Sequence, residues 1–505
     1  MHYVSLIIEF LRGRPVVVFW TVALTQATLW TLLPALFYSA PPGGVPLLLA
    51  IGHEFVLGSY LGPPLAFCAG EIAFRLAGAF GLYGLAQACI VVCYWAVFAL
   101  GRAIVGKRHA LLAILLMAGI TAFTIPSPSF GPSVMAAPFW ALALLHYWRA
   151  VGEGKRGFWF LLALDLGLLL LSSYVGLILV VLLVLFTLAS SRGRGSLAAP
   201  EPWIALLPLL IVIFPHLAWL KDAHDLVFSG IEDSVAPGGR LNAGEWLCLS
   251  LLAAHLGLGL LVALASGWPR RRWRHERAPE IDRDPVEPLG RWFVYFFALA
   301  PAAIALTIAF VSGRLGPLYP IAPLVVLSGL AVVVAAGDQV TLYRERMVSS
   351  AWIGLLVAPP VLVVLSIIVL PWTMGIDLRI AQPANTEGHF FGDNFQRRTG
   401  KPLQYVTGDE RLAPLVALGS PSRPHVYFDW APQRSPWASP ADIRKDGGVM
   451  VWPAETSALP PKTLKQQFPD MVAEVPRSFA RPIQGLLPLI KLGWSVVRPA
   501  AAPAQ

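Results

Sequence analysis

The chain is 505 residues long, 56% hydrophobic and only 13% charged, with a formal net charge of +9 and a mean hydropathy of +0.65. Soluble domains carry roughly a quarter charged residues, so a soluble fold is excluded. The surplus of Lys and Arg is better explained by topology than by nucleic-acid binding, because most of the basic residues fall in short loops between apolar runs.

The apolar runs are roughly 17–22 residues long, the length a helix needs to cross about 30 Å of hydrocarbon. They lack the alternation of barrel strands, which leaves helices as the way to satisfy the backbone in lipid. About eleven spans are predicted, near 15–37, 82–101, 109–125, 132–148, 158–172, 174–190, 203–220, 246–267, 294–312, 317–336 and 351–371. The first run is long and lacks a small-residue cleavage site, so it is expected to persist as a membrane helix.

A long first loop, 38–81, follows it. Within this loop Pro63–Phe80 is apolar but carries Glu71 and Arg75 at i, i+4, a spacing that pairs them on one helix face. Such a helix is expected to lie along the membrane surface.

Basic residues mark alternate loops: Arg12 and Arg14; Arg102, Lys107 and Arg108; Arg149, Lys155 and Arg156; Arg192 and Arg194; the stretch Arg270–Arg277; then Arg344 and Arg346. The intervening loops are neutral or acidic, as in 221–245 with Asp222, Asp225, Glu232 and Asp233. The positive-inside rule places the N-terminus in the cytoplasm and residues 373–505 outside. Arg270–Arg277 reads as a topology signal that meets anionic lipid heads.

After Trp372 the composition turns mixed and proline-rich. Strand-like Leu403–Val406, a helical pattern over Glu410–Leu418 that starts at Gly408-Asp409-Glu410, and strand-like Val426–Phe428 and Val449–Trp452 predict a small α/β domain. The expected architecture is an all-α polytopic membrane domain over 1–372, holding the first external loop, and an external α/β domain over 373–505.

Cys68, Cys89, Cys93 and Cys248 lie in or beside apolar runs. Cys89 and Cys93 are one turn apart but have no paired His or acid, so they read as packing residues and no metal site is assigned. No phosphate loop, dinucleotide fingerprint, zinc-ligand spacing or nucleophile elbow occurs. Asp165 stands mid-span, where an acid is costly; it is a functional candidate or a helix–helix hydrogen-bond partner. His216, near the end of the seventh expected span, and Asp222 in the next loop are further candidates.

Four local patterns resemble bacterial type C glycosyltransferases, the nearest group being glycosyltransferase family 39, which includes protein O-mannosyltransferases and aminoarabinose transferases. They are Gly52-His53-Glu54-Phe55 with Gly58–Leu65, the stretch Phe139–Tyr147, Phe214–Trp219, and Arg314–Pro323. The resemblance implies a type C fold and a transferase at the periplasmic face of the bacterial inner membrane. Its partners would be a polyprenyl-phosphate-linked sugar, a lipid, glycan or protein acceptor, and membrane lipids, with no nucleic acid. It implies no certain cofactor and leaves room for a divalent cation.

In that family a first-loop carboxylate handles the acceptor hydroxyl, and basic and tyrosine side chains hold the lipid phosphate. Such chemistry needs a proton acceptor and a cationic partner for the leaving group. The usual upstream Asp is missing, since residues 39–53 contain no acid. Glu54, with His53 beside it, is therefore the catalytic candidate, against a solvated or capping role. Arg314 is the donor-phosphate candidate, since Arg suits phosphate geometry, against an interfacial anchor. Tyr60 and Tyr319 join it, against membership of the aromatic belt. The rival functions are a non-catalytic lipid-binding relative and a polyprenyl-lipid transporter or flippase. A transporter would show inverted repeats and broken midplane helices.

Overall fold

The computed structural model describes residues 13–234, 241–267, 280–315, 321–341, 344–454, 459–469 and 471–500. Tyr319 and the basic stretch Arg270–Arg277 lie outside the described residues. The chain forms two compact units, each built from separated stretches. The first takes the chain up to Leu32, Tyr60–Ala66 and Tyr83–Val361; the second takes Leu33–Ser59, Phe67–Leu82 and everything from Leu362 on.

The first unit is helical. Among the described residues of the whole chain, five helices are long and apolar enough to span a bilayer: Pro15–Phe37, Leu65–Ile104, Glu201–Glu232, Pro288–Ser312 and Arg346–Thr373. Ala243–Ala254 and Leu256–Ala265, bent by 40°, give a sixth if taken as one broken span. The protein is a multi-pass membrane protein. Leu207, Leu210, Ile211 and Phe214 stand exposed along one helix, a run of apolar surface that lipid accommodates and water does not.

Two neighbouring apolar runs form short helices at nearly the expected bounds. The expected span 158–172 is the helix Phe158–Ser172, and the expected 174–190 is Gly176–Ala189, of 15 and 14 residues. The polar pair Ser173-Tyr174 interrupts the apolar run between them. Inside this unit Phe186, Phe293 and Phe297 pack around Tyr147, whose hydroxyl shares a 2.7 Å hydrogen bond with Thr187. Gln26 donates to the Phe123 carbonyl at 2.9 Å and accepts from Tyr94 at 3.2 Å, so its buried amide is satisfied as low-dielectric surroundings require.

The 40-residue helix Leu65–Ile104 is broken at Ala77 and Gly78, where Gly78 takes φ 58°, ψ −145°. A side chain would be strained in that conformation. The break falls inside the stretch expected along the membrane surface, a few residues before the expected span begins at 82.

The second unit is α/β. A two-stranded ribbon elsewhere, β1 (Glu280–Asp282) with β2 (Gln339–Thr341), is separate from it. Its own sheet comprises β3 (Tyr405–Gly408), β4 (His425–Tyr427), β5 (Gly448–Pro453), β6 (Arg477–Phe479) and β7 (Ile490–Val497) in the order β4-β3-β5-β7-β6. The β3–β4 and β3–β5 pairs are parallel, while β7 runs antiparallel to β5 and β6. The parallel pairs need crossovers, supplied by the helices Leu412–Gly419 and Pro440–Asp446. Buried Tyr427, Ile443, Met450, Trp452, Leu464 and Phe468 form a core on this sheet.

The first loop, apart from Tyr60–Ala66, belongs to the same unit. The Ser39 and Ala40 N–H groups donate to the Ile380 carbonyl at 2.8 and 3.2 Å, and Ala40 packs with Ala384 and Leu415.

Candidate active site

The loop residues Val45–His53 form a nine-residue helix with Pro46 in its first turn, where the missing N–H costs nothing. Its apolar side is buried through Leu48, Leu49 and Ile51. Gly52 lies against Phe67: a Cβ there would stand 2.3 Å from the Phe67 carbonyl oxygen. That close approach brings the end of the helix to Glu71. Phe55 then leaves the helix in the left-handed region at φ 49°, so His53 and Glu54 sit at a sharp turn.

Glu71 is fully buried and is held from three directions. Arg75 Nε donates to its Oε1 at 2.8 Å, as the i, i+4 spacing predicts. Arg423 Nη2 donates to its Oε2 at 2.6 Å, and His53 Nδ1 lies 3.2 Å from Oε1. Arg75 Nη2 also comes within 3.1 Å of His53 Nδ1. The guanidinium groups lie on aromatic faces, Arg75 over Phe55 and Arg423 over Phe74. A buried carboxylate with two charge-assisted partners is a satisfied one.

Glu54 has a different partner. His425, the first residue of β4, hydrogen-bonds to Glu54 Oε1 through Nδ1 at 2.7 Å. This bond holds the His425 imidazole above its ordinary pKa, because the carboxylate favours the protonated ring. The His53 and His425 rings lie 5.5 Å apart. One ligand atom from each of His53, Glu54 and His425 falls within 4.8 Å of the others, which makes these three a group, among the described residues, that could hold a metal ion. His53 and Arg423 also line a small crevice walled by Pro46, Ala50, Pro414, Ala417, Leu418 and Pro424.

The remaining candidates belong to the helical unit and do not form one cluster. Asp165 pairs with His146 Nδ1 at 2.5 Å, the helix–helix hydrogen bond that was one of its two expected roles. His216 is buried, 3.2 Å from the Tyr174 hydroxyl through Nε2, and stacks on Trp219. Asp222 is exposed beside the break at Ala223 in the helix Leu206–Glu232. Tyr60 is buried. Arg314 follows the helix Pro288–Ser312, which ends at left-handed Gly313. Its backbone N–H donates to Ser312 Oγ at 3.2 Å, and its guanidinium has no partner among the described residues.

Four members of the cluster around Glu54 were not singled out as site residues in the sequence: Glu71, Arg75, Arg423 and His425. Arg423 and His425 lie in Pro421–Tyr427, a segment whose only legible signal is a strand beginning after prolines.

Comparison with known proteins locates the family signal in the chain. Residues 62–219 match the family model described as dolichyl-phosphate-mannose-protein mannosyltransferase. The crystal structure of ArnT from Cupriavidus metallidurans in the apo state aligns at 12% identity with a TM-score of 0.51, covering 97% of this chain and 99% of that one. The archaeal oligosaccharyltransferase AglB from Archaeoglobus fulgidus, in complex with an inhibitory peptide and a dolichol-phosphate, aligns at 13% identity with a TM-score of 0.41, covering 87% and 70%. No curated protein matches the sequence. The near-complete coverage of ArnT gives the chain the type C glycosyltransferase fold.

Proposed function

We propose that this chain, a membrane glycosyltransferase of the type C fold whose residues 62–219 belong to the dolichyl-phosphate-mannose-protein mannosyltransferase family, moves a sugar from a polyprenyl phosphate to a hydroxyl on a lipid, glycan or protein acceptor. The observation that carries the site assignment is the meeting of Glu54, His53 and His425 in one partly exposed cluster. Glu54 Oε1 faces His425, while its Oε2 has no hydrogen-bond partner among the described residues and is left for a proton.

In this reaction the acceptor oxygen forms a bond to the anomeric carbon as the bond from that carbon to the phosphate oxygen breaks. The acceptor proton passes to Glu54, and polyprenyl phosphate leaves with the electron pair. Arg314 is the donor-phosphate ligand, supported by the lack of a guanidinium partner among the described residues and by the match of that group to phosphate geometry. Tyr60 and Tyr319 are proposed to help bind the donor. Inversion at the anomeric carbon is carried over from the family resemblance.

The basic loops support an inner-membrane orientation with the N-terminus in the cytoplasm and residues 373–505 in the periplasm. The domain division proposed from sequence, 1–372 and 373–505, concerns this topology; the second compact unit also includes parts of the first loop. Protein in nanodiscs, given radiolabelled polyprenyl-phosphate sugars and a membrane lipid extract, tests the assignment. Transfer that is lost in Glu54→Gln supports it. Donor binding without transfer favours the non-catalytic reading, and lipid movement across sealed vesicles without transfer favours the flippase.

A further inference from the structure

We propose that His53, Glu54 and His425 bind one divalent transition-metal ion, with zinc the ion their donors suit best. Two imidazoles and one carboxylate, with a fourth position left for water or a substrate oxygen, form a ligand set zinc accepts in catalytic sites. One possible ligand atom from each of the three residues already lies within 4.8 Å of the others. They come from the end of the helix Val45–His53 and the start of β4, so the folded chain gathers them without a contiguous sequence motif.

The surroundings fit this role. Among the described residues three non-glycine positions have positive φ, and two of them, Phe55 and Arg423, flank these donors. Phe55 follows Glu54 directly and Arg423 precedes His425 by two residues. Strained backbone that persists in a well-packed unit is concentrated at functional sites. His53 also has a buried carboxylate behind it: Glu71 Oε1 lies 3.2 Å from its Nδ1. A proton on Nδ1 shared with Glu71 leaves Nε2 free as the metal ligand, the carboxylate–histidine–metal arrangement that fixes tautomer and ring orientation.

Arg75 Nη2 competes for the same Nδ1 at 3.1 Å, and that contact requires the other tautomer. An ion on Nε2 selects between the two. Arg75 and Arg423 oppose a cation electrostatically, and Glu71, with both oxygens engaged by them, offsets part of that repulsion. A divalent ion also gives both imidazoles and Glu54 a common partner, which the Glu54–His425 pair alone does not.

This inference rests on the proposed function only in placing the ion beside the acceptor; binding itself does not require transfer. The full-length protein in nanodiscs is stripped with a chelator, loaded with zinc sulfate, desalted and analysed for metal, and loaded in parallel with cobalt(II) for visible spectroscopy. The expected result is about one equivalent of zinc and intense four-coordinate cobalt bands. Both are expected to be lost in His53→Ala and His425→Ala proteins that remain monodisperse. A wild-type protein that retains no zinc and shows only the weak spectrum of hydrated cobalt overturns the proposal, whatever the variants do. So does zinc retained undiminished by the His53→Ala/His425→Ala double variant. Bound zinc with no transfer from any donor counts against the proposed function alone, and transfer without bound metal counts against the metal site alone.

Discussion

Glu54 and His425, separated by 371 positions, share a 2.7 Å hydrogen bond. The bond joins the turn after the first-loop helix to the opening residue of a sheet strand. It converts a solitary loop carboxylate into a member of a defined cluster. Replacing Glu54 with Gln keeps the shape and removes the proposed proton acceptor. Transfer is expected to fall by about 10²–10⁴-fold, the contribution of a positioned general base, with little change in thermal unfolding. Single-turnover rates on Glu54→Gln measure this.

Arg314 is proposed to act on the donor rather than on the acceptor. Arg314→Ala is expected to weaken donor binding by about tenfold or more, since hydrogen bonds to charged groups contribute roughly 1.5–3 kcal/mol. Arg314→Lys is expected to restore only part of it, because the forked donor geometry is lost. Titration with the polyprenyl-phosphate sugar shows whether the donor affinity changes while acceptor dependence stays constant.

Glu71 carries a structural burden. It is fully buried with two guanidinium partners, and removing its charge leaves those partners uncompensated. Glu71→Ala is expected to destabilise the second unit by about 3–5 kcal/mol. A Glu71→Ala/Arg423→Ala double variant is expected to recover part of that loss, since it removes one of the stranded cations. Thermal unfolding of the single and double variants gives the comparison.

Gly52 sets the position of both site residues that follow it. A methyl group there meets the Phe67 carbonyl oxygen at 2.3 Å, so Gly52→Ala must push the helix away. A loss of about 1–3 kcal/mol is expected from overpacking, together with reduced transfer because His53 and Glu54 move. A stable Gly52→Ala protein with wild-type activity would show that this close approach is not what positions them.

Glu387 makes stability depend on pH. It is fully buried in the helix Ala384–Thr399, and burial pushes its carboxyl from 4.5 up to about 8. Below pH 4.5 both folded and unfolded chains hold the proton. Between 4.5 and about 8 the folded chain keeps a proton that the unfolded chain has released, so this group's contribution falls as pH rises. Above about 8 it levels off. Glu387→Gln is expected to flatten that decline and to unfold at a higher temperature than wild type at pH 8.

Much of the fold is legible in sequence because hydrophobic run length and loop charge report the lipid environment directly. Pro15–Phe37 coincides with the first expected span, and strands β3, β4 and β5 fall at or within two residues of the expected strand-like segments. The breaks are harder to read. The interruption at Ser173 is legible, since the expected spans stop at 172 and resume at 174, but the Ala77–Gly78 kink depends on local backbone geometry inside an apolar stretch. The helix Ala384–Thr399 was not predicted because its composition is polar. Its buried stripe is Glu387, Phe391 and Phe395 at i, i+4, i+8, and it ends at Gly400 with φ 72°, a signal visible only once a charged residue is admitted to the buried face.

The site divides in the same way. Glu54 and His53 stood out because the first loop is poor in ionisable residues. His425 did not, because nothing local distinguishes a histidine at the start of a strand. Its significance comes from long-range pairing, which a single sequence does not display.

The central claim is transfer at the Glu54 cluster, and a donor-panel assay with purified protein in nanodiscs tests it most directly. The expected result is labelled sugar appearing on an acceptor from one polyprenyl-phosphate donor, abolished in Glu54→Gln and in Arg314→Ala. Transfer that continues at the wild-type rate in Glu54→Gln would contradict the assignment of that carboxylate and move the chemistry elsewhere in the chain.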